Sequence, residues 1–159
     1  MRPVTINKRY FPLTIGVVLG IFIAIFLSMN LGGEKDSCGL ITHVNFPNNT
    51  FVVSVLATAS ERERGLSGKS GLAKNEGALF LFKQPTSISF WMKDMLFPID
   101  IIFFDSEFRV IGLVNDARPE SFPYTFDSPG EMLYTLEVSS GAILEYNIRV
   151  GTRASATCK

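Results

Sequence analysis

The run from Phe90 to Phe104, Phe-Trp-Met-Lys-Asp-Met-Leu-Phe-Pro-Ile-Asp-Ile-Ile-Phe-Phe, sets the tightest limit on what this chain can become. Ile99 to Phe104 is β-branched and aromatic, which suits a strand covered on both faces. Pro98 cannot donate to a ladder and suits the first residue of such a strand. Asp100 is the anomaly. Between Ile99 and Ile101, its carboxylate must find a partner, reach water or stay protonated, because an isolated buried charge is expensive. The only tryptophan of the chain, Trp91, lies in the same run. Extended backbone over Ser89 to Lys93 puts Phe90 and Met92 on one face, Trp91 and Lys93 on the other. Trp91 therefore reads either as core or as a platform for a ligand, with the company of Lys93 leaning towards the surface.

A second constraint lies upstream. From Leu13 to Leu31 about 19 residues carry no charge, enough to cross a bilayer as a helix. A cleaved signal peptide would have a shorter apolar core and a small-x-small site, whereas Met29-Asn30-Leu31 follows Ser28. Lys35-Asp36-Ser37 before Cys38 does not fit a lipoprotein signal. Arg2, Lys8 and Arg9 precede the span, and Glu34, Lys35 and Asp36 nearly cancel after it. The positive-inside rule then predicts a cytoplasmic tail over 1–12, a membrane anchor over 13–31, a tether over 32–42 and an extracytoplasmic domain over 43–159. Location at the cell membrane, with the bilayer as a partner through residues 13–31, is the expectation. Outside the cytoplasm paired thiols are oxidised, so Cys38 and Cys158, which bracket the domain, are expected to form a disulfide.

Taken in order, Phe51 to Ala57 reads as a strand. Ser60-Glu61-Arg62-Glu63 has the capping-box pattern and opens a helix that Gly65 ends. Gly77 to Phe82 is a short apolar strand, and Asp105-Ser106-Glu107 turns the central strand into another over Arg109 to Asn115. Pro119, Pro123 and Pro129-Gly130 mark a long loop pinned by Phe122, Tyr124 and Phe126. Leu133 to Val138 alternates as a strand, with Glu137 on its exposed face. Ser139 or Ser140 caps a short helix through Tyr146, and Ile148 to Gly151 closes the domain. These elements predict a β-dominated α+β domain with two short helices and a curled or barrel-like sheet, preceded by one transmembrane helix.

Several motifs carry less than they first suggest. Gly68-Lys69-Ser70 would need glycine at Glu63 and a long following helix to be a phosphate loop, and has neither. Ser67 fails as a nucleophile elbow because Lys69 stands where glycine is required. One histidine, His43, gives a serine triad little support, and with two distant cysteines makes no zinc site. No metal or cofactor is expected, and a formal net charge of zero gives no reason to expect nucleic acid. Asp100 with Glu137 remains open as a carboxylate pair for glycoside hydrolysis, which needs two acids flanking one bond.

Read together, Glu61, Arg64-Gly65-Leu66, Gly77 to Phe82, Phe90-Trp91-Met92-Lys93-Asp94-Met95, Pro98 to Phe103, Leu136-Glu137-Val138, Gly141 and Ile148 to Gly151 resemble the uncharacterised domain-of-unknown-function family 192, an ancient conserved region. The resemblance covers about two thirds of the chain. Departures are small: Ala78 stands where the family often has Met, and Thr152 where it often has an acidic residue. The resemblance implies a compact β-rich domain, often exported, and supplies no function.

The leading expectation is a binding or accessory module for an envelope ligand or a membrane-protein partner. Its site is expected to join Arg64, Trp91, Lys93, Asp100 and Glu137, with Arg64 pairing Asp100 and Trp91 walling the pocket. A hydrolase acting on an envelope polymer through Asp100 and Glu137, and a purely structural interaction domain, are the alternatives.

Overall fold

The computed structural model describes residues 40–159, which form one compact unit. The expected anchor over 13–31, the tail before it and Cys38 lie outside the described residues. Among the described residues no helix is long and apolar enough to cross a membrane.

Seven strands build one mixed sheet in the order β6-β5-β8-β3-β2-β1-β9. They are β1 (Ile41–Asn45), β2 (Thr50–Leu56), β3 (Glu76–Thr86), β5 (Ile99–Phe104), β6 (Val110–Ala117), β8 (Met132–Ser139) and β9 (Ser155–Cys158). Only β2 and β3 run parallel, and the crossover between them carries helix α1 (Ala59–Arg64). Strands β4 (Ser89–Trp91) and β7 (Thr125–Asp127) pair separately, and helix α2 (Ala142–Glu145) follows β8. The edge strands approach one another at one end through a single bridge, Arg109 to Arg153, flanked by the Val110 N–H to Thr152 C=O bond. No ladder continues from it, so the sheet is open and not a barrel.

The central strand has the predicted bounds, and all six of its residues are buried. Period-two alternation sends Ile102 and Phe104 into one apolar cluster and Ile99, Ile101 and Phe103 into another, one on each face of the sheet. The first cluster is covered by Phe108, Ala142, Ile143 and Ile148, the second by Leu66, Phe90, Met92 and Met95. Full burial of such side chains stabilises by roughly 1.5–3 kcal/mol each, which makes this strand the largest single apolar contributor.

Four local expectations need correction. The capping box is Thr58 with Glu61, two residues before the expected one: the Glu61 N–H donates to Thr58 Oγ1, and the Thr58 N–H donates to Glu61 Oε2. Neither Ser139 nor Ser140 caps α2. Their hydroxyls donate instead to the Leu72 carbonyl and to Asp116 Oδ1, and Gly141 takes the N-cap position without a side-chain bond. Phe122 and Tyr124 do not pin the proline-rich loop, for both are exposed, and only Phe126 packs on the core. Finally, the domain closes with β9, which pairs with β1 well beyond Gly151.

Candidate functional site

The ridge that organises the surface begins at α1. Gly65 ends this helix at φ +52°, a conformation glycine adopts without strain, and its N–H donates to the Glu61 carbonyl. A β-carbon there would meet Phe80 Cζ at 3.2 Å, so glycine also lets the turn sit down on the sheet. The chain runs on as Leu66-Ser67-Gly68. Leu66 is buried in the second core, Ser67 Oγ donates to the Lys93 carbonyl at 2.8 Å, and the Gly68 N–H donates to the Asp94 carbonyl at 2.9 Å. The Phe90–Phe104 run is thereby tied to the helix turn.

On one side of this ridge lies a groove of about 360 Å³. Leu66, Phe80, Phe82, Phe90 and Met95 supply its apolar surface, and Ile88 and Trp91 rise along its far wall. The β4–β7 pairing explains the wall: Phe90 turns inward against Phe80 and Phe103, which leaves Trp91 facing out and 49% exposed. Arg62 belongs to the framework, donating to the Ala57 and Leu81 carbonyls and lying over the Phe82 ring. Arg64 is exposed and makes no salt bridge among the described residues. On the other side of the ridge a second groove, about 410 Å³, is lined by Ser54, Glu61, Arg64, Ser67, Lys69 and Ala78 among others. Arg64, Gly65, Leu66 and Ser67 line both.

Of the five residues expected to form one site, only Arg64 and Trp91 line a common groove. Lys93 is exposed next to it, joined through its backbone carbonyl. Asp100 is elsewhere and has another task. Its Oδ2 accepts the Ile143 N–H at 2.8 Å and its Oδ1 the Asp116 N–H at 2.9 Å. The first bond satisfies an orphan donor in the first turn of α2, which that helix cannot cap for itself. The second fixes a bulge in β6, where Ile99 pairs Ala117 but Ile101 pairs Val114, with Asp116 at φ +54°. Hydrogen bonds from Ser140 and Arg118 hold the Asp116 carboxyl below its ordinary pKa. No Arg64–Asp100 pair forms, because Asp100 lies on the face of the sheet packed by Ile143, whereas Arg64 lines a groove with Leu66 and Phe80 over the opposite face.

Glu137 is buried, not on an exposed face, at 5% exposure, and its Oε2 has no hydrogen-bond partner among the described residues. Burial pushes its pKa up to about 8, so it is the neutral acid at pH 7. It also cannot act with Asp100. Asp100 pairs with Val138 in register and shares that residue's face, whereas Glu137 pairs with Ile101 and shares the opposite one. Two carboxyl groups separated by the sheet itself cannot flank one glycosidic bond.

Sequence reasoning missed the apolar floor, since Phe80 and Phe82 read simply as strand core. The signal available was the run of apolar residues in β3 opposite an incompletely apolar covering segment.

The profile of domain-of-unknown-function family 192, described as "Uncharacterized ACR", matches residues 42–156. No curated protein matches. Two crystal structures are similar. One is a protein of unknown function from Novosphingobium aromaticivorans DSM 12444, 26% identical, with a TM-score of 0.69 over 77% of this chain and 89% of that one. The other, described as a candidate transcription regulator from Sinorhizobium meliloti 1021, is 25% identical, with a TM-score of 0.70 over 78% and 98%.

Proposed function

This chain belongs to domain-of-unknown-function family 192, an uncharacterised family, and from its own site we propose that it is a binding module taking the alkyl or acyl part of a small ligand into the groove beside Trp91. The observation that carries this reading is the groove itself. Its size is that of a small-molecule site, and its surface is mainly aromatic and aliphatic with a few polar groups at the edge. A half-exposed tryptophan on its rim offers a large rigid surface at little entropic cost. The separation of Asp100 from Glu137 removes the support for the hydrolase alternative.

Octan-1-ol is a suitable probe because it has chain and no charge. Titrated into the full-length chain, with amphipol in place of detergent, it is expected to shift the emission of Trp91 saturably. With one tryptophan in the chain, the signal comes from this rim alone. Ile88→Asp, at an exposed wall position, should weaken the binding about tenfold, since a carboxylate would be desolvated against the alkyl chain. The melting temperature should stay put. Unsaturable emission, or equal affinity in the variant, would overturn the reading.

We further propose that the module is held at the cell membrane by residues 13–31 with its domain outside, closed by a Cys38–Cys158 disulfide. The uncharged span and the charge asymmetry around it support the first part. For the second, Cys158 pairs in register with Ile41, only three residues from Cys38 along the chain. Closing a loop of about 120 residues contributes roughly 4–5 kcal/mol in the chain-entropy model. Protease on intact cells should remove the domain, and alkylation without reductant should label neither thiol. A protected domain would refute the topology, and two labelled thiols the bridge.

A further inference from the structure

The two grooves on either side of the Arg64–Ser67 ridge differ in chemistry, and the difference says what kind of molecule would cross it. The first is walled by Leu66, Phe80, Phe82, Phe90, Met95 and Trp91. The second carries Ser54, Ser67, Arg64 and Lys69. We infer that the ligand is an amphiphile with an anionic phosphate or carboxylate head, its chain in the first groove and its head over the ridge between Arg64 and Lys69. This deepens the proposed function and rests on it.

Charge decides the orientation. The first groove contains an uncommitted acid, Glu63, beside its cations, while Arg62 there is already bonded to two carbonyls and stacked on Phe82. The second groove contains Glu61, but that carboxylate is turned to the N-terminus of α1. It accepts the Thr58 N–H and hydroxyl and the Ala57 N–H, which together with a smaller attraction from Arg64 hold its pKa low. Its Oε2 is thus held by the donors of the helix start, and the second groove sets two cations, Arg64 and Lys69, against this one carboxylate, neither in an ion pair among the described residues. An anion placed between them gains charge-assisted hydrogen bonds, and a guanidinium offers a carboxylate or phosphate two parallel donors. Lys93 is tied to the ridge through its backbone carbonyl and lines neither groove, so the discrimination falls to Arg64 and Lys69.

Three probes separate the possibilities on the full-length chain, each read at Trp91 and by calorimetry: octyl phosphate below its micellar concentration, octan-1-ol and inorganic phosphate. Octyl phosphate is expected to bind tenfold to a hundredfold more tightly than octan-1-ol, the advantage of one or two hydrogen bonds to a charged group. That advantage should fall with added salt and drop severalfold in Lys69→Gln, which lines the second groove alone, while octan-1-ol affinity and melting temperature stay unchanged. Lys69 is exposed, so folding is not at stake. Equal affinities for octyl phosphate and octan-1-ol would overturn the anionic head and leave the apolar groove standing. Inorganic phosphate binding as tightly as octyl phosphate would overturn the amphiphile, reducing the site to a surface anion contact. Failure of both octyl probes would overturn the proposed function together with this inference.

Discussion

Raising the pH from about 4.5 to about 8 should destabilise the domain by about 3–5 kcal/mol, and Glu137→Gln should abolish that dependence. In the unfolded chain Glu137 titrates near its ordinary value of 4.5, whereas burial in the folded domain pushes it up to about 8. Between those values the fold retains a proton that the unfolded chain has released. Raising the pH therefore favours unfolding, by about 1.4 kcal/mol per unit. The stability associated with the neutral acid is complete below about 4.5 and gone above about 8. Glu61 and Asp116 have the opposite sign. Hydrogen bonds lower both, so what they contribute is present above their unfolded values and is lost in acid, outside this window. Urea midpoints at several pH values from 5 to 8 would read the effect, with the glutamine variant as a non-titrating control of nearly the same shape. Parallel profiles for the two proteins would show that Glu137 is not the group responsible.

What the sequence disclosed, and what it hid, follows the range of the interactions concerned. The bounds of β5 were legible because five of its six residues are β-branched or aromatic, which permits little else. The outward turn of Trp91 was legible because alternation within three residues of a strand is local. The capping box was placed two residues late. The pattern of a hydroxyl residue followed at the third position by glutamate occurs twice in overlap, at Thr58–Glu61 and Ser60–Glu63, and only the exit of β2 selects the first. Strand β9 is Ser-Ala-Thr-Cys, whose apolar face is only Ala156 and Cys158, too little to announce a strand, and it forms on the edge of β1, more than a hundred residues earlier.

The candidate site divides in the same way. Arg64 and Trp91 meet across the groove, as the motif-bearing segments suggested. Asp100 and Glu137 were misplaced for different reasons. Alternation in β8 correctly sends Glu137 to the face opposite Leu136 and Val138, but it does not say that the face is covered. Here Leu66 of the helix turn and Phe90, Met92 and Met95 cover it, and both pieces are remote from β8 in sequence. Asp100 was rightly singled out as requiring a partner. A search among side-chain cations could not find that partner, because the donors are the backbone amides of residues 116 and 143, which leave no mark in residue type.

Asp100 is therefore the position where a small change should have the largest structural consequence. Asp100→Ala should destabilise the domain by about 3–5 kcal/mol, since one buried and one partly buried N–H group lose a charged acceptor together. Asp100→Asn should cost about 2–3 kcal/mol: one oxygen remains to accept, and the new amide nitrogen faces a donor. The loss would be felt in two elements at once. Without the bond to Ile143 the four-residue helix α2 has an uncapped first turn, and without the bond to Asp116 the β6 bulge loses its clamp. Ser140, which donates to the Asp116 carboxylate, would loosen with them. Hydrogen exchange should accordingly accelerate first at Asp116 and at residues 141–145, while the β2–β3 ladder keeps its protection. Trp91→Ala supplies the contrast. Its ring lies half in solvent on a two-stranded pair, so stability should change by under about 1 kcal/mol while octyl-probe affinity drops. If Trp91→Ala melts the domain and Asp100→Asn leaves it untouched, the division between framework and ligand surface drawn above is reversed.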